Sequence, residues 1–155
     1  MKKLLLLLLA PLLLVSCSSD DDLDNEDGVL TTKSGNTYLY SYTEDGYAYV
    51  SFISFTTEGF IDGEAYADNS WCDTVYYPWN AEKLDGYGGK DKYQVTKNTS
   101  DTLEVTHTFW ENSETTDPSG EVKFTVKFSD NTATIKGFSG GDRVYYIVVD
   151  SEIPC

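Results

Sequence analysis

The side chains of this chain that could do chemistry are few in kind and unevenly placed. His107 is the single histidine, so a histidine-built metal centre has no material to work with. A serine triad would need His107 beside an activated serine, and no Gly-x-Ser-x-Gly turn is present to hold one. Carboxylates are abundant, with 26 Asp and Glu. Asp62 and Glu64 alternate onto one strand face, and two acids a few ångströms apart can hydrolyse a glycoside. Acids on a strand face more often meet water, and that is the reading adopted for this pair. The stretch GYGG (Gly86 to Gly89) lacks the Lys-Ser/Thr of a phosphate loop and reads as a turn. No motif calls for a cofactor or a metal, and the chain is expected not to be an enzyme. The strongest recognition signal is aromatic. WCDTVYYPWN places Trp71, Tyr76, Tyr77 and Trp79 within ten residues, with Tyr87 close behind. Such rings carry an apolar face and a polar handle, which suits glycan or peptide contacts. His107 and Trp110 on a later strand complete the candidate ligand-binding set. The competing reading of the cluster is ordinary packing around Cys72.

The three cysteines are best read from their surroundings. Lys2 and Lys3 precede an apolar run, Leu4 to Val15, too short to cross a bilayer as a helix, which needs about 20 residues. That order is a cleavable signal. Leu14, Val15, Ser16 and Cys17 resemble the lipobox of bacterial lipoproteins, and the resemblance implies cleavage before Cys17 and a diacylglyceryl group on its sulfur. Two or more acyl chains anchor a protein stably, whereas one does so only marginally. The stretch SSDDD, Ser18 to Asp22, is similar to the surface-export signal of Bacteroidetes-type lipoproteins. It implies an outer-membrane protein facing the cell exterior, the alternative being the periplasmic side. Cys72 and Cys155 remain outside the cytoplasm, where disulfides persist, and they are expected to bond to each other.

Composition limits the partners. Net charge is −15. Loss of Lys2 and Lys3 leaves nine Lys and Arg against 26 Asp and Glu, a net −17. Such a chain is repelled by phosphate backbones, which argues against nucleic acid. Residues 1–16 are thus read as signal peptide, residues 17–28 as an acidic tether too poor in apolar residues to fold, and residues 29–155 as one domain.

Within that domain, positioning falls to strands. EVKFTVKF (Glu121 to Phe128) sends Val122, Phe124, Val126 and Phe128 to one face and Lys123, Thr125 and Lys127 to the other. TLEVTHTFWE before it places Leu103, Val105, His107 and Phe109 together, so His107 is expected to point inward. DPSG between them makes a hairpin. NTYLYSY, YAYVSFISF, GFIDGEAYA, TATIK and RVYYIVVD add further strands, the last one apolar on both faces and therefore central or covered. TVYYPW and KYQVTK are weaker, and Pro78 should end its strand. Ala81 to Asp91 reads as a long glycine-rich loop. No amphipathic helix of useful length is present. The pattern predicts an all-β fold, an antiparallel meander of about eight strands closed as a barrel, or alternatively stacked as a two-sheet sandwich. SGNTYLYS (Ser34 to Ser41) and ISFTTEGFIDG (Ile53 to Gly63) resemble the small lipocalin-like domains of Bacteroidetes lipoproteins, although Gly35, Asn36, Thr37, Tyr38 stands where a lipocalin carries Gly-x-Trp. That resemblance implies a ligand cavity. The expected role is a membrane-anchored, non-catalytic binding module for a small apolar ligand, a glycan or a protein. A structural or inhibitory protein engaging a basic partner is the alternative, and an envelope hydrolase the remotest.

Mass spectrometry of the membrane fraction should find a lipidated cysteine as the first residue of the mature chain. An unmodified thiol at Cys17 would reject the anchor.

Overall fold

The computed structural model describes residues 28–137, 141–148 and 155. Residues 1–27, which hold the expected signal peptide, Cys17 and all but the last residue of the expected tether, lie outside the described residues. Regular structure in the described chain is almost all strand, with 62% of residues in strands and 3% in helix. A single turn of helix, α1 (Val29–Thr32), leads into β1 (Thr37–Glu44), β2 (Tyr47–Phe55), β3 (Gly59–Tyr66), β4 (Cys72–Pro78), β5 (Glu82–Leu84), β6 (Lys90–Asn98), β7 (Thr102–Trp110), β8 (Gly120–Phe128), β9 (Thr132–Lys136) and β10 (Arg143–Val148). One antiparallel sheet runs β4-β3-β2-β1-β10-β9-β8-β7-β6-β5. The first and last strands pair, Thr37 opposite Val148 and Leu39 opposite Tyr146. That pairing bends the sheet into a nearly closed, lipocalin-like barrel and excludes the two-sheet sandwich.

Among the described residues there are ten strands, not about eight. The stretch read as a long loop contains β5, whose Glu82, Lys83 and Leu84 pair with Lys92, Asp91 and Lys90 of β6. Three residues between a tryptophan and a glycine-rich turn are too few for periodicity to register. The turn itself is as expected: Asp85 Oδ1 accepts from the backbone N–H groups of Tyr87 (2.8 Å) and Gly89 (3.0 Å). Pro78 ends β4, as its missing donor requires. β10 is central, between β1 and β9, but it is not covered: Val144 and Tyr146 stand on the outside, 40% and 61% exposed.

Closure is incomplete at a seam in mid-chain. β4 and β5 form the two sheet edges, and across them runs one isolated parallel bridge, Trp79 to Tyr93. Lys83 also reaches over the seam. Its ammonium donates to the Tyr76 carbonyl and lies 4.8 Å from the centroid of the Tyr77 ring.

Two-residue alternation decides what fills the barrel. Near the β1 start the inward residues are apolar: Tyr38, Ile53, Phe55, Phe60, Leu103, Val126, Phe128 and Ala133 are all buried in one cluster. Phe55 meets Phe128 edge-on at 5.4 Å, and Phe60 meets Tyr93 edge-on at 4.9 Å. Burying each such ring contributes about 1.5–3 kcal/mol. The helix α1 closes this end, with Val29 and Leu30 buried. It is held there by Val29 N–H donating to the Thr99 carbonyl (2.8 Å) and Leu30 N–H donating to Asn98 Oδ1 (3.2 Å). The opposite end carries the hairpin tips, including the Asp45-Gly46 turn, whose positive φ at both residues (51° and 83°) suits the twist of β1 and β2. On the outer face Phe52 lies flat over Gly63, where any Cβ would come within 2.2 Å of the ring.

Cys72, at the open-end start of β4, is bonded to Cys155, with Cα atoms 5.8 Å apart across 83 residues of sequence. The expected disulfide is present. Cross-linking so long a loop restricts the unfolded chain, worth about 4.5 kcal/mol at most in the chain-entropy account and commonly 2–4. Replacing both cysteines by serine should therefore lower unfolding free energy by about 2–4 kcal/mol in urea titrations. Unreduced, denatured mature protein should show no titratable thiol at Cys72 or Cys155.

Candidate functional site

The open half of the barrel is hollow. Three recesses occupy it, and all three are lined by Asp62 of β3. The first, about 230 Å³, lies among Ser51, Asp62, Glu64, Trp71, Asp73, Val75, Arg143 and Tyr145. The second, about 20 Å³, leads inward past Ile53, Phe124 and Ile135. The third, about 370 Å³, is walled by Tyr77, Tyr93, His107, Phe109, Val122 and Phe124. The floor is the aromatic layer of Phe60, Tyr77, Trp79 and Tyr93.

Register explains why acids face this space. Phe55 pairs with Phe60, Ile53 with Asp62 and Ser51 with Glu64. Phe60 is a core residue, so period two sends Asp62 and Glu64 to the same inward side. The pair read from sequence as meeting water lines the interior, in a recess open to solvent. Asp73 and Val75 of β4 follow, opposite Glu64 and Asp62. From the far wall, Arg143 opens β10 in phase with core residue Tyr145.

The electrostatics are those of a charged group in a cup of rings. Partial burial, reinforced by the neighbouring Glu64 charge, pushes the Asp62 carboxyl up to about 6, while Arg143 and the Gly63 N–H pull it back. Tyr42 donates its hydroxyl to Glu64. Its phenol is driven well above the ordinary range, first by burial and then by that hydrogen bond. Burial likewise raises Tyr77 to about 12, helped by Asp91 and Asp62. Arg143 sits against the rings of Tyr40 and Tyr42, 5.7 and 5.9 Å from their centroids. Ser51 Oγ and the Tyr145 hydroxyl share a hydrogen bond of 3.3 Å.

His107 points inward, as its strand phase implies. Its ring stacks on Tyr93 at 4.2 Å, nearly parallel, and Nε2 lies 2.7 Å from Asp91 Oδ1. It is thus anchored by a neighbour, and it also lines the third recess. Trp71 walls the first recess and packs on Tyr66, with ring centroids 5.4 Å apart, and Tyr77 walls the third. The other four candidates sit elsewhere. Trp79 belongs to the floor, donating Nε1–H to the Thr56 carbonyl at 2.9 Å. Tyr76 stands on the outer face of β4, 43% exposed, and Tyr87 is 97% exposed at the β5–β6 tip. Trp110 is buried outside the barrel core, its Nε1–H directed at the Thr116 carbonyl (3.3 Å) and Lys90 over its ring at 4.6 Å. None of these four lines a recess.

The residues missed from sequence are Ser51, Asp73, Val75, Tyr93, Arg143 and Tyr145, together with the inward placement of Asp62 and Glu64. The available signal was phase: Asp62 and Glu64 alternate with Phe60, and Arg143 with Tyr145. Among the described residues no group of three His, Cys, Asp or Glu is placed to hold a metal ion, so the carboxylates are spread along the walls rather than gathered at a point. No family model, curated protein or solved structure matches the chain.

A carboxyl held near 6 against 3.8 unfolded binds its proton more tightly in the folded state. Asp62 therefore lowers stability as pH rises from about 4 to about 6, by up to about 3 kcal/mol. Asp62→Asn should stabilise the protein by about 1–3 kcal/mol in chemical denaturation at pH 7 and make little difference at pH 4. An equal gain at both pH values would show that ionisation of Asp62 is not the cause.

Proposed function

We propose that this chain is a lipid-anchored lipoprotein of the outer membrane, displayed toward the exterior, that binds a small molecule in the open half of its barrel and does no chemistry on it. The observation that carries the binding reading is the division of the barrel interior. One half is packed with aromatic and aliphatic side chains, and the other half is empty space lined by aromatic rings and polar groups. Such a mouth is a usual place for a ligand. Because Asp62, Glu64, Asp73 and Arg143 share the walls with Trp71 and Tyr145, the lining favours a polar ligand with an apolar face over a purely apolar one. A hollow interior also favours small-molecule binding over a role confined to the acidic outer surface.

The orientation is consistent with an anchor at Cys17. The described chain enters at the closed end, where Val29 pairs with Thr99. A tether attached there points the mouth away from the membrane. Residues 18–28 can span at most about 38 Å when extended, which keeps the domain close to the lipid surface.

Titration of the full chain with disaccharides, amino acids and fatty acids, followed by tryptophan fluorescence, tests the reading. A polar ligand should bind in the micromolar to millimolar range and quench or shift Trp71 emission, and Trp71→Phe should remove that signal. Indifference to the whole panel would overturn it.

A further inference from the structure

Resting on the ligand-binding reading above, we propose that the first recess recognises a zwitterion: a small ligand carrying an ammonium and a carboxylate together, of the amino-acid class. The recess holds charges of both signs that form no ion pair with one another. Arg143 lines it together with Asp62, Glu64 and Asp73, yet Arg143 makes no ion pair within 4.0 Å among the described residues. Its immediate neighbours are instead the faces of Tyr40 and Tyr42 and the hydroxyl of Tyr145.

Tyr42 keeps the charges apart. Its ring faces the guanidinium while its hydroxyl occupies one oxygen of Glu64. It is itself braced by parallel stacking on Tyr40 (5.9 Å) and Tyr49 (5.2 Å). Rings contact the flat faces of a guanidinium and leave its edge, where the N–H donors point, for a planar acceptor such as a carboxylate. Elsewhere in the same lining, Asp62 of β3 has no ion pair and no side-chain hydrogen bond among the described residues beyond the Gly63 N–H. Asp62, the free oxygen of Glu64 and Asp73 together present acceptors for an ammonium.

The chemistry of the recess disfavours a ligand with only one charge. An amine alone would leave Arg143 facing a second cation, and a carboxylate alone would enter among three acids. A ligand with both groups satisfies both signs of charge at once. The space, about 230 Å³, is of small-molecule size and suits a single amino acid. Trp71 and Val75 supply an apolar wall for its side chain.

Calorimetric titration of the full chain with L-leucine, 3-methylbutylamine (leucine without its carboxylate), 4-methylpentanoate (leucine without its amine) and cellobiose is the test. Leucine should bind, and each single-charge analogue should bind at least tenfold more weakly. Arg143→Gln should weaken leucine at least tenfold and tighten the amine, which no longer meets the guanidinium charge, and Asp62→Asn should weaken leucine and the amine alike. The wild-type analogue comparison needs no variant, so it stands even if a variant misfolds. Amine binding as tight as leucine and indifferent to Arg143→Gln would overturn the zwitterion in favour of a simple cation site. Cellobiose binding with no leucine binding would overturn this inference while leaving the binding reading intact. Silence across these probes and the wider panel would overturn both.

Discussion

The pairing of the first strand with the last is the constraint from which the rest of the structure follows. A ten-strand meander without it would be an open ribbon with two faces and no interior. The ladder from Thr37–Val148 to Leu39–Tyr146 turns one face of that ribbon into an inside. Only then does alternation acquire its consequence: every second residue is either packed against another wall or left facing a void. The ladder is short, and the disulfide from β4 to the last residue restrains the same C-terminal region from the other side of β1.

Closing the barrel in this way moves the unavoidable break to the middle of the chain. Exposed strand edges invite pairing with other chains. Here one edge strand is only three residues long, and Lys83 is folded back across the gap onto Tyr76 and Tyr77. A short, charged edge is a poor template for a foreign strand. The seam also places β5 and β6 opposite β4, which brings Tyr77 and Tyr93 into contact at 4.8 Å. That contact forms the floor separating the packed half from the hollow one.

The hollow half is where the protein departs from what stability alone would select. A carboxylate partly withdrawn from water costs free energy unless it is paired. Asp62 is held in that condition, beside Glu64 and near an arginine with which it makes no ion pair. An apolar residue at position 62 would extend the core formed by Ile53, Phe60 and Tyr145. Polar groups in a recess open to solvent are what the proposed binding reading rests on. The stacked tyrosines of β1 and β2 rigidify the arrangement, since ring packing fixes side chains that would otherwise rotate to neutralise one another.

The sequence by itself determined the elements and most of their order. Strict alternation in Glu121 to Phe128 and Leu103 to Phe109 fixed two strands and their hairpin, Pro78 fixed the end of β4, and the domain from residue 29 onward holds only Cys72 and Cys155, which left them to each other. It also pointed inward at His107, because Val105 and Phe109 flank it at spacing two. The tertiary structure decided what periodicity cannot carry. β5 is too short to show a period, the seam depends on which strands meet around a closed sheet, and Trp79 and Trp110 are placed by neighbours remote in sequence. The site itself was the least legible part. Alternation says that Asp62 and Glu64 share a face, but it does not say which face is the inside. That is set by the register of β3 against β2, which puts Phe60 opposite Phe55 in the core. Likewise, nothing local to Arg143 signals that closure of the barrel will set it across a cavity from acids some eighty residues earlier in the chain.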